Sequence, residues 1–402
     1  MNPKQQKFIT DSRNSISDEG SFSIVNNNIK NYEMAFMQAK EQFNDLQSAR
    51  NKAANCRDNA LKDLDKHLIS WESAFVERGG RLVWAKDGDE ALKEILGILK
   101  NHQVSEAVKF NSEICNELNF NNLNSTSNIR FLDCSTAAYI NELEDKPSFS
   151  VFKPALDKNT KIISELLDKE VGLSGEHSAE DLSIYINDIL RDKAHEADAL
   201  ISGASFLIAE NGSIVINDME GHLFSSIMEG KVNIFVAGID SVLPSLSDIS
   251  LLLPLFSTFS VGQNALAYHT VVSGPAKSEE EAGPAYIYVI LLDNGRSNVL
   301  GKKHQRTALR CIHCGACQNV CPVFKRIGAE SYNAPIQGPI GSVLAPIMFG
   351  YKDYSHLSYA SSLCGKCTEI CPVNIKLHEL LIYNRQEAVK KNIRSRGERT
   401  AI

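Results

Sequence analysis

Seven of the ten cysteines in this 402-residue chain lie between residues 311 and 371, at spacings typical of iron-sulfur ligation. The first run holds Cys311, Cys314, Cys317 and Cys321, and the second run holds Cys364, Cys367 and Cys371. Each run ends in Cys-Pro. In the C-x2-C-x2-C-x3-C-P pattern, three thiolates bind one cluster and the fourth cysteine binds the other. The spacing therefore predicts two iron-sulfur clusters.

Crossed ligation gives each cluster its own cysteines. The predicted ligands of cluster 1, a 4Fe-4S cube, are Cys311, Cys314, Cys317 and Cys371. Those of cluster 2 are Cys321, Cys364 and Cys367, so this cube is one thiolate short. In the register of the first run, Ser361 occupies the missing position. The fourth iron could be bound by the Ser361 oxygen, by solvent or by a group from elsewhere, or it could be lost to leave a 3Fe-4S cluster.

Two other uses of cysteine fit these runs less well. Two C-x2-C pairs would suit a zinc ribbon, but zinc needs four ligands in a closed tetrahedron and leaves the third cysteine and the Cys-Pro endings unexplained. A disulfide framework would leave one of the seven cysteines unpaired and requires an oxidising compartment. Residues 1–30 lack the pattern of a signal peptide. The most apolar stretch, 249–259, is too short for a membrane helix. We therefore expect a cytoplasmic protein without a membrane span.

Charge is distributed unevenly along the chain, whose net charge is −7. Residues 301–402 hold 15 Lys and Arg against 6 Asp and Glu, so this segment is basic and the rest of the chain is acidic. Part of the positive charge compensates the cluster thiolates. The remainder lies at residues 302–310 and 390–399, at the two ends of the segment. This placement favours docking of an acidic partner over binding of nucleic acid, which needs a continuous basic stripe.

The start of the chain predicts helices followed by an α/β domain. Residues 1 to about 32 lack hydrophobic periodicity and are expected to be flexible. Residues 35–77 have apolar residues every three to four positions and predict a long helix or a helical hairpin. Strands are predicted at 81–85, 106–110 and 129–133. A helix capped by Asp87 follows the first strand, so a parallel sheet covered by helices is expected.

A second group of elements begins with a helix at 178–194, opened by the capping box of Ser178 and Asp181. Further strands are predicted at 199–209, 213–217, 233–238, 269–273 and 286–292, with a helix near 247–255. The sequence Glu-Asn-Gly at 210–212 predicts a hairpin turn. We expect this half to form a mixed sheet rather than a repeat of the first half. No G-x-G-x-x-G dinucleotide motif follows the first strand.

Several other residues could be taken for functional groups. His222 and His269 are interpreted as hydrogen-bonded structural residues. The run at 293–296 is interpreted as the loop that closes the last strand, although Arg296 could reach a carboxylate substrate. Cys56, Cys115 and Cys134 are expected to pack in cores. The sequence alone identifies no catalytic residue.

Several segments besides the cysteine runs are similar to segments of a known protein family. They are Arg78-Gly79-Gly80 with Trp84-Ala85, residues 201–210, residues 291–296, and Gly338-Pro339-Ile340-Gly341. On these the chain resembles the lactate-utilisation iron-sulfur subunit family. The flexible start and the N-terminal helices predicted above occupy residues 1–60. The resemblance implies a lactate-utilisation (LUD) α/β domain at 61–300, with a mixed sheet similar to sugar-phosphate isomerases and CoA transferases. Residues 301–402 would form an all-α two-cluster ferredoxin domain.

The resemblance also implies an electron-transfer subunit of a complex that oxidises L-lactate to pyruvate. Its partners would be a second cysteine-rich subunit and a smaller LUD-domain subunit, and a small-molecule substrate could bind the α/β domain. This chain departs from the family pattern at 109–112 and 154–157, so the resemblance does not carry a substrate role over to that face. No flavin or nicotinamide motif is present, so the chain is not expected to oxidise lactate alone.

Two alternative functions stay open. The chain could be an iron-sulfur sensing or binding protein in which the three-thiolate cluster is labile. It could instead be a transferase or isomerase that acts in the α/β domain, with clusters that are structural.

Overall fold

A computed structural model describes residues 2–118, 120, 127–144, 155–175, 177–221, 223–266, 268–278 and 283–393. Pro154, His222 and residues 394–399, which the sequence singled out, lie outside these ranges. Helices at the start lead into an α/β domain, and a helical segment with both cysteine runs follows. This architecture confirms the predicted fold class.

The first residues of the chain are helical, so the prediction of a flexible start is wrong. The N-terminal helices are α1 (Pro3–Ile16), α2 (Glu19–Ala39), α3 (Leu46–Lys62) and α4 (Leu64–Glu77). Asn2, Asp18 and Asp45 cap the first three by accepting backbone hydrogen bonds. Helix α1 packs against the cluster segment, where the Phe8 ring lies 5.3 Å from the ring of His356. Ser12 is the buried residue of α1, and a helix with so little buried apolar surface shows little hydrophobic periodicity in its sequence.

Ten strands are described: β1 (Arg81–Ala85), β2 (Glu106–Lys109), β3 (Arg130–Asp133), β4 (Ala199–Gly203), β5 (Phe206–Ile208), β6 (Ser213–Asp218), β7 (Val232–Gly238), β8 (Val242–Leu243), β9 (Tyr268–Val272) and β10 (Tyr286–Leu292). Six of them form a parallel sheet in the order β1-β10-β7-β4-β2-β3. Because all six run the same way, their carboxyl ends meet at one edge, where ligands bind in sheets of this kind.

Helices cover both faces of the parallel sheet. The helices between the end of β1 and the start of the cysteine segment are α5 (Gly88–Asn101), α6 (Glu113–Asn116), α7 (Thr136–Glu144), α8 (Thr160–Val171), α9 (Ala179–His195), α10 (Leu223–Glu229), α11 (Ile249–Val261) and α12 (Arg296–Leu300). Strand β10 shows why both faces need cover. Val289 and Leu291 pack into one core with Trp71 of α4, whereas Ile290 packs into another with Ile95 of α5. Two buried faces give the continuous apolar run typical of parallel strands.

The remaining strands form a small mixed sheet in the order β8-β5-β6-β9. The second half contains a mixed sheet as predicted, but this sheet holds β5, β6, β8 and β9, whereas β4, β7 and β10 join the parallel sheet. The predicted hairpin at 210–212 is confirmed, since β5 and β6 pair antiparallel. Gly212 has a φ of 71°, and a Cβ there would lie 2.4 Å from the Phe75 backbone nitrogen, so only glycine fits this turn.

The cysteine segment is helical and shares a core with earlier elements. Its helices are α13 (Ala316–Val320), α14 (Pro322–Ile327), α15 (Gly338–Met348), α16 (Tyr351–Tyr354), α17 (Lys366–Ile370) and α18 (Leu377–Lys390). Ala53 of α3, Phe259 of α11, Ile340 of α15 and Leu381 of α18 are buried in one cluster. The segment is thereby fixed against both the N-terminal helices and the α/β domain. None of the helices in the described ranges is long and apolar enough to cross a membrane.

Candidate cluster sites and an adjoining cavity

The structure brings the four cysteines of the predicted cluster 1 to the wall of one cavity. These residues are Cys311, Cys314, Cys317 and Cys371. Apolar side chains, among them Ile340 and Val373, complete the wall. Four thiols around an apolar cavity are the donor set that a 4Fe-4S cluster uses.

A second cavity is lined by Cys321, Cys364 and Cys367, together with Ser361. Cys364 is exposed and Cys367 is buried. The two cavities are neighbours, because helices α13 and α17 pack against each other. Cys317 of the first cavity lies close enough to Cys367 of the second for their charges to interact.

The two cysteine runs share one backbone turn. His313 comes directly before Cys314, and Leu363 comes directly before Cys364. Their φ values are 56° and 54°. Gly315 and Gly365 come directly after these two cysteines and have φ values of 72° and 83°. Non-glycine residues seldom adopt this left-handed conformation. Its repetition at equivalent positions indicates that both turns present their side chains to a cavity in the same way.

The hydrogen bonds at the start of each turn repeat as well. The His313 backbone N–H donates to Cys311 Sγ at 3.4 Å. The Leu363 backbone N–H donates to Ser361 Oγ at 3.2 Å. Ser361 therefore stands at the position that the register of the two runs gives to the missing cysteine.

The chemistry of the cysteines fits iron-sulfur clusters. Burial raises the pKa of the Cys314 and Cys367 thiols to about 12, and burial also raises the pKa of Cys317 well above its ordinary value. These thiols stay protonated at neutral pH unless a positive charge is supplied, and a coordinating metal supplies it. The Ile375 backbone N–H donates to Cys371 Sγ at 3.3 Å, a contact of the kind that tunes cluster potentials.

Two arginines of helix α3 support the first cysteine cavity. Arg50 Nε and Nη2 donate to the Cys371 carbonyl at 3.0 and 2.8 Å. Arg57 is buried and donates to the carbonyls of Asp240 and Leu309. Sequence reasoning missed both residues, because an arginine in a helical pattern usually faces solvent.

A third cavity, of about 180 Å³, lies between the first cysteine run and the carboxyl edge of the parallel sheet. Its wall includes residues 110–114 after β2, residues 202–205 around the end of β4, and Ile312 and His313. His313 Nδ1 is hydrogen-bonded to the buried carboxylate of Glu113. Burial lowers the pKa of His313, but the charge and the hydrogen bond of Glu113, together with the charge of Asp240, outweigh this effect and the pKa is raised overall.

Arg296 at the back of this cavity is already occupied by the protein's own carboxylates. Its Nη1 donates to Glu117 at 2.9 Å and its Nε donates to Asp240 at 2.7 Å, and all three residues are buried. A Cβ on Gly238 would lie 2.5 Å from Arg296 Nε, so glycine there makes room for the network. Because these donors are used within the fold, the structure favours the interpretation of residues 293–296 as a closing loop over a contact of Arg296 with a carboxylate substrate.

The other residues that the sequence singled out have structural roles. His269 Nδ1 donates to Asn217 Oδ1 at 2.9 Å, which confirms its structural interpretation. Cys115 and Cys134 are buried in cores as predicted, and Cys56 packs half-buried against another. In the part of the chain that the structure describes, no group of three or more His, Cys, Asp or Glu could hold a single metal ion.

Fold and cysteine geometry together define a class of protein, an α/β domain joined to a two-cluster iron-sulfur segment. The LUD domain family matches residues 70–292, and the 4Fe-4S dicluster domain family matches residues 307–375. The chain belongs to the LUD domain family and carries a 4Fe-4S dicluster domain. The dicluster match confirms the prediction of two iron-sulfur clusters.

Two proteins with similar sequences carry a name that describes their use. Lactate utilization protein B of Bacillus velezensis is 35% identical over 358 residues, which are 88% of this chain and 75% of that protein. Lactate utilization protein B of Bacillus subtilis (strain 168) is 35% identical over 362 residues, which are 89% of this chain and 75% of that protein. At this identity and coverage the chain belongs to the same family as these proteins.

A solved structure of a DUF162 family protein from Deinococcus radiodurans is a more distant match. It covers 57% of this chain and 98% of that chain, with 14% sequence identity and a TM-score of 0.33. Agreement at this level is too weak to support a shared fold.

Proposed function

We propose that this chain is the iron-sulfur electron-transfer subunit of a complex that oxidises L-lactate to pyruvate. Its relatives carry the name Lactate utilization protein B. When bound, the clusters carry single electrons, which suits a relay and does not suit hydride abstraction. The observation that carries the proposal is the side-by-side arrangement of the two cysteine-lined cavities, with Cys317 near Cys367.

The proposed ligands follow from the cavity walls. Those of cluster 1 are Cys311, Cys314, Cys317 and Cys371, and those of cluster 2 are Cys321, Cys364 and Cys367. Ser361 is the proposed fourth ligand of cluster 2, a role supported by its hydrogen bond and its place in the repeated turn. The proposed division of the chain is helices at 1–60, the LUD domain at 61–300 and the cluster domain at 301–402.

The proposed partners are a second cysteine-rich subunit and a smaller LUD-domain subunit, and the proposed location is the cytoplasm. In the basic segment 302–310, Lys302 and Arg310 are paired with carboxylates of this chain. Lys303 and Arg306 are exposed. The exposed pair supports docking of an acidic partner surface next to the clusters, since complementary charge steers association.

Reconstitution of the complex tests this proposal. Removal of the 2-hydrogen of lactate requires a two-electron acceptor, and the sequence carries no motif for flavin or nicotinamide. We expect the anaerobically purified chain, mixed with L-lactate and an artificial electron acceptor, to form no pyruvate. Addition of both partners should start turnover, and partners without this chain should give little. Turnover by the chain alone, or full turnover by the partners alone, would overturn the proposed role.

A further inference from the structure

The cavity of about 180 Å³ lies at a position in the fold that is typical of a ligand site. It lies at the carboxyl edge of the parallel sheet, where the chain leaves β2 at residues 110–114 and β4 at residues 203–205. Ligands of open α/β sheets bind in this crevice. A buried water needs about 10–15 Å³ of such space, so the cavity has room for roughly a dozen waters or one small organic molecule.

Two polar side-chain atoms in the wall have no hydrogen-bond partner among the residues that the structure describes. Ser135 is 7% exposed, and its Oγ is unpartnered. Asn217 Oδ1 accepts the hydrogen bond from His269 Nδ1, which leaves Asn217 Nδ2 as an unpartnered donor. A buried donor without a partner costs about 1–3 kcal/mol. Both groups line the cavity, so a ligand with acceptor oxygens would remove this cost.

The carboxylates of the wall are already engaged. Asp218 accepts three backbone hydrogen bonds, from Glu220, Gly221 and Leu223. Glu220 accepts from the backbone and the hydroxyl of Thr136. Glu113 is bound to His313, as described above. The unpaired polar groups of the wall, Ser135 Oγ and Asn217 Nδ2, can both donate hydrogen bonds. A ligand that fits this wall therefore carries acceptor oxygens.

We propose that this cavity is the binding site for a small 2-hydroxy or 2-oxo acid, whose oxygens accept hydrogen bonds from Ser135 Oγ and Asn217 Nδ2. The choice of lactate and pyruvate as ligands rests on the proposed function. Phe110, Ile114 and Phe256 line the same cavity and provide an apolar surface for the short carbon chain. Residues 110–112, which lie in the segment where the chain departs from the family pattern, form part of the wall of this cavity.

The cavity also shares a wall with the first cysteine cavity. Glu113, Ile312 and His313 line both. Ile312 and His313 lie within the first cysteine run, between Cys311 and Cys314. An acid bound in the larger cavity is thus separated from the proposed cluster 1 by a single layer of side chains. This position accounts for the placement of a LUD domain and a cluster domain in one chain.

Direct ligand binding tests the site without any partner. The full chain, with clusters reconstituted anaerobically, is titrated with L-lactate and with pyruvate in a calorimeter, and acetate and inorganic phosphate are compared. We expect one equivalent of lactate or pyruvate to bind at least about tenfold more tightly than acetate or phosphate, since the 2-oxygen adds a hydrogen bond. Asn217→Asp keeps an oxygen that can accept the hydrogen bond from His269 and removes the Nδ2 donor. Ser135→Ala removes the hydroxyl.

Each variant should weaken binding by about tenfold or more. Asn59→Asp and Ser183→Ala, at exposed positions of α3 and α9, are the matched controls and should bind as the parent does. An unchanged visible spectrum of the clusters identifies variants that have folded. Absence of binding, equal binding of phosphate, or binding that neither variant weakens would overturn the site. The electron-transfer role would survive these outcomes, because it is tested by reconstitution with partners.

Discussion

Ser361 occupies in the second cysteine run the position that Cys311 occupies in the first. The side chain of each accepts a hydrogen bond from the backbone two residues later, at 3.2 Å for Ser361 and 3.4 Å for Cys311. The two turns match in backbone conformation, so the difference between the sites is one of ligand chemistry. A hydroxyl is a harder and poorer iron ligand than a thiolate.

The first prediction follows from this exchange of sulfur for oxygen. Cluster 2 of the parent protein should lose iron in air and give a three-iron species, whereas the Ser361→Cys variant should resist the conversion, because a fourth thiolate completes the cube. The three-iron signal in electron paramagnetic resonance spectra, followed after exposure to air, measures the difference. Ser183→Cys adds a thiol at an exposed position of α9 that is not on the cavity wall and should not protect. Equal air sensitivity of parent and Ser361→Cys would exclude position 361 as the ligand site.

The second prediction concerns the crossed assignment of ligands. Cys314→Ala should abolish the spectrum of cluster 1, and Cys364→Ala should remove only cluster 2, because these cysteines lie on different cavities. Iron content and electron paramagnetic resonance spectra of the reduced proteins distinguish the two clusters. Loss of the opposite cluster in either variant would contradict the pairing.

The clusters could be predicted from the sequence because cysteine spacing within a short loop fixes which thiols can converge on one cluster. The parallel sheet could be predicted in part, since β1, β2 and β3 are local patterns separated by helices. Strands β4, β7 and β10 join that same sheet through contacts between residues that are far apart in the sequence. Hydrophobic periodicity does not predict such contacts. The hydrogen bonds of Arg50 and Arg57 could not be predicted for the same reason, because their acceptors are backbone carbonyls of segments far away in the sequence.

The third prediction concerns the buried network behind the cavity. Glu117→Gln removes the charge that accepts from Arg296 and leaves the guanidinium only partly compensated by Asp240. Breaking a buried ion pair costs about 3–5 kcal/mol, so the free energy of unfolding should fall by about 3 kcal/mol. Urea unfolding followed by circular dichroism measures the loss. Lys66→Ala, which breaks an exposed pair with Asp63, is the control and should leave the midpoint unchanged. A similar midpoint for both variants would contradict a structural role of the network.

The last prediction concerns Arg50, which places a positive charge beside cluster 1 through its bonds to the Cys371 carbonyl. Reduction adds negative charge to a cluster, and a nearby cation stabilises the reduced form. Arg50→Met should therefore shift the reduction potential of cluster 1 to a more negative value and leave cluster 2 nearly unchanged. A potentiometric titration followed by electron paramagnetic resonance measures both potentials. Arg50→Lys keeps the charge and should recover most of the shift, whereas Lys52→Met removes a charge from an exposed position of the same helix and should shift cluster 1 less. If Lys52→Met and Arg50→Met had equal effects, the carbonyl contacts of Arg50 would not be what tunes the cluster.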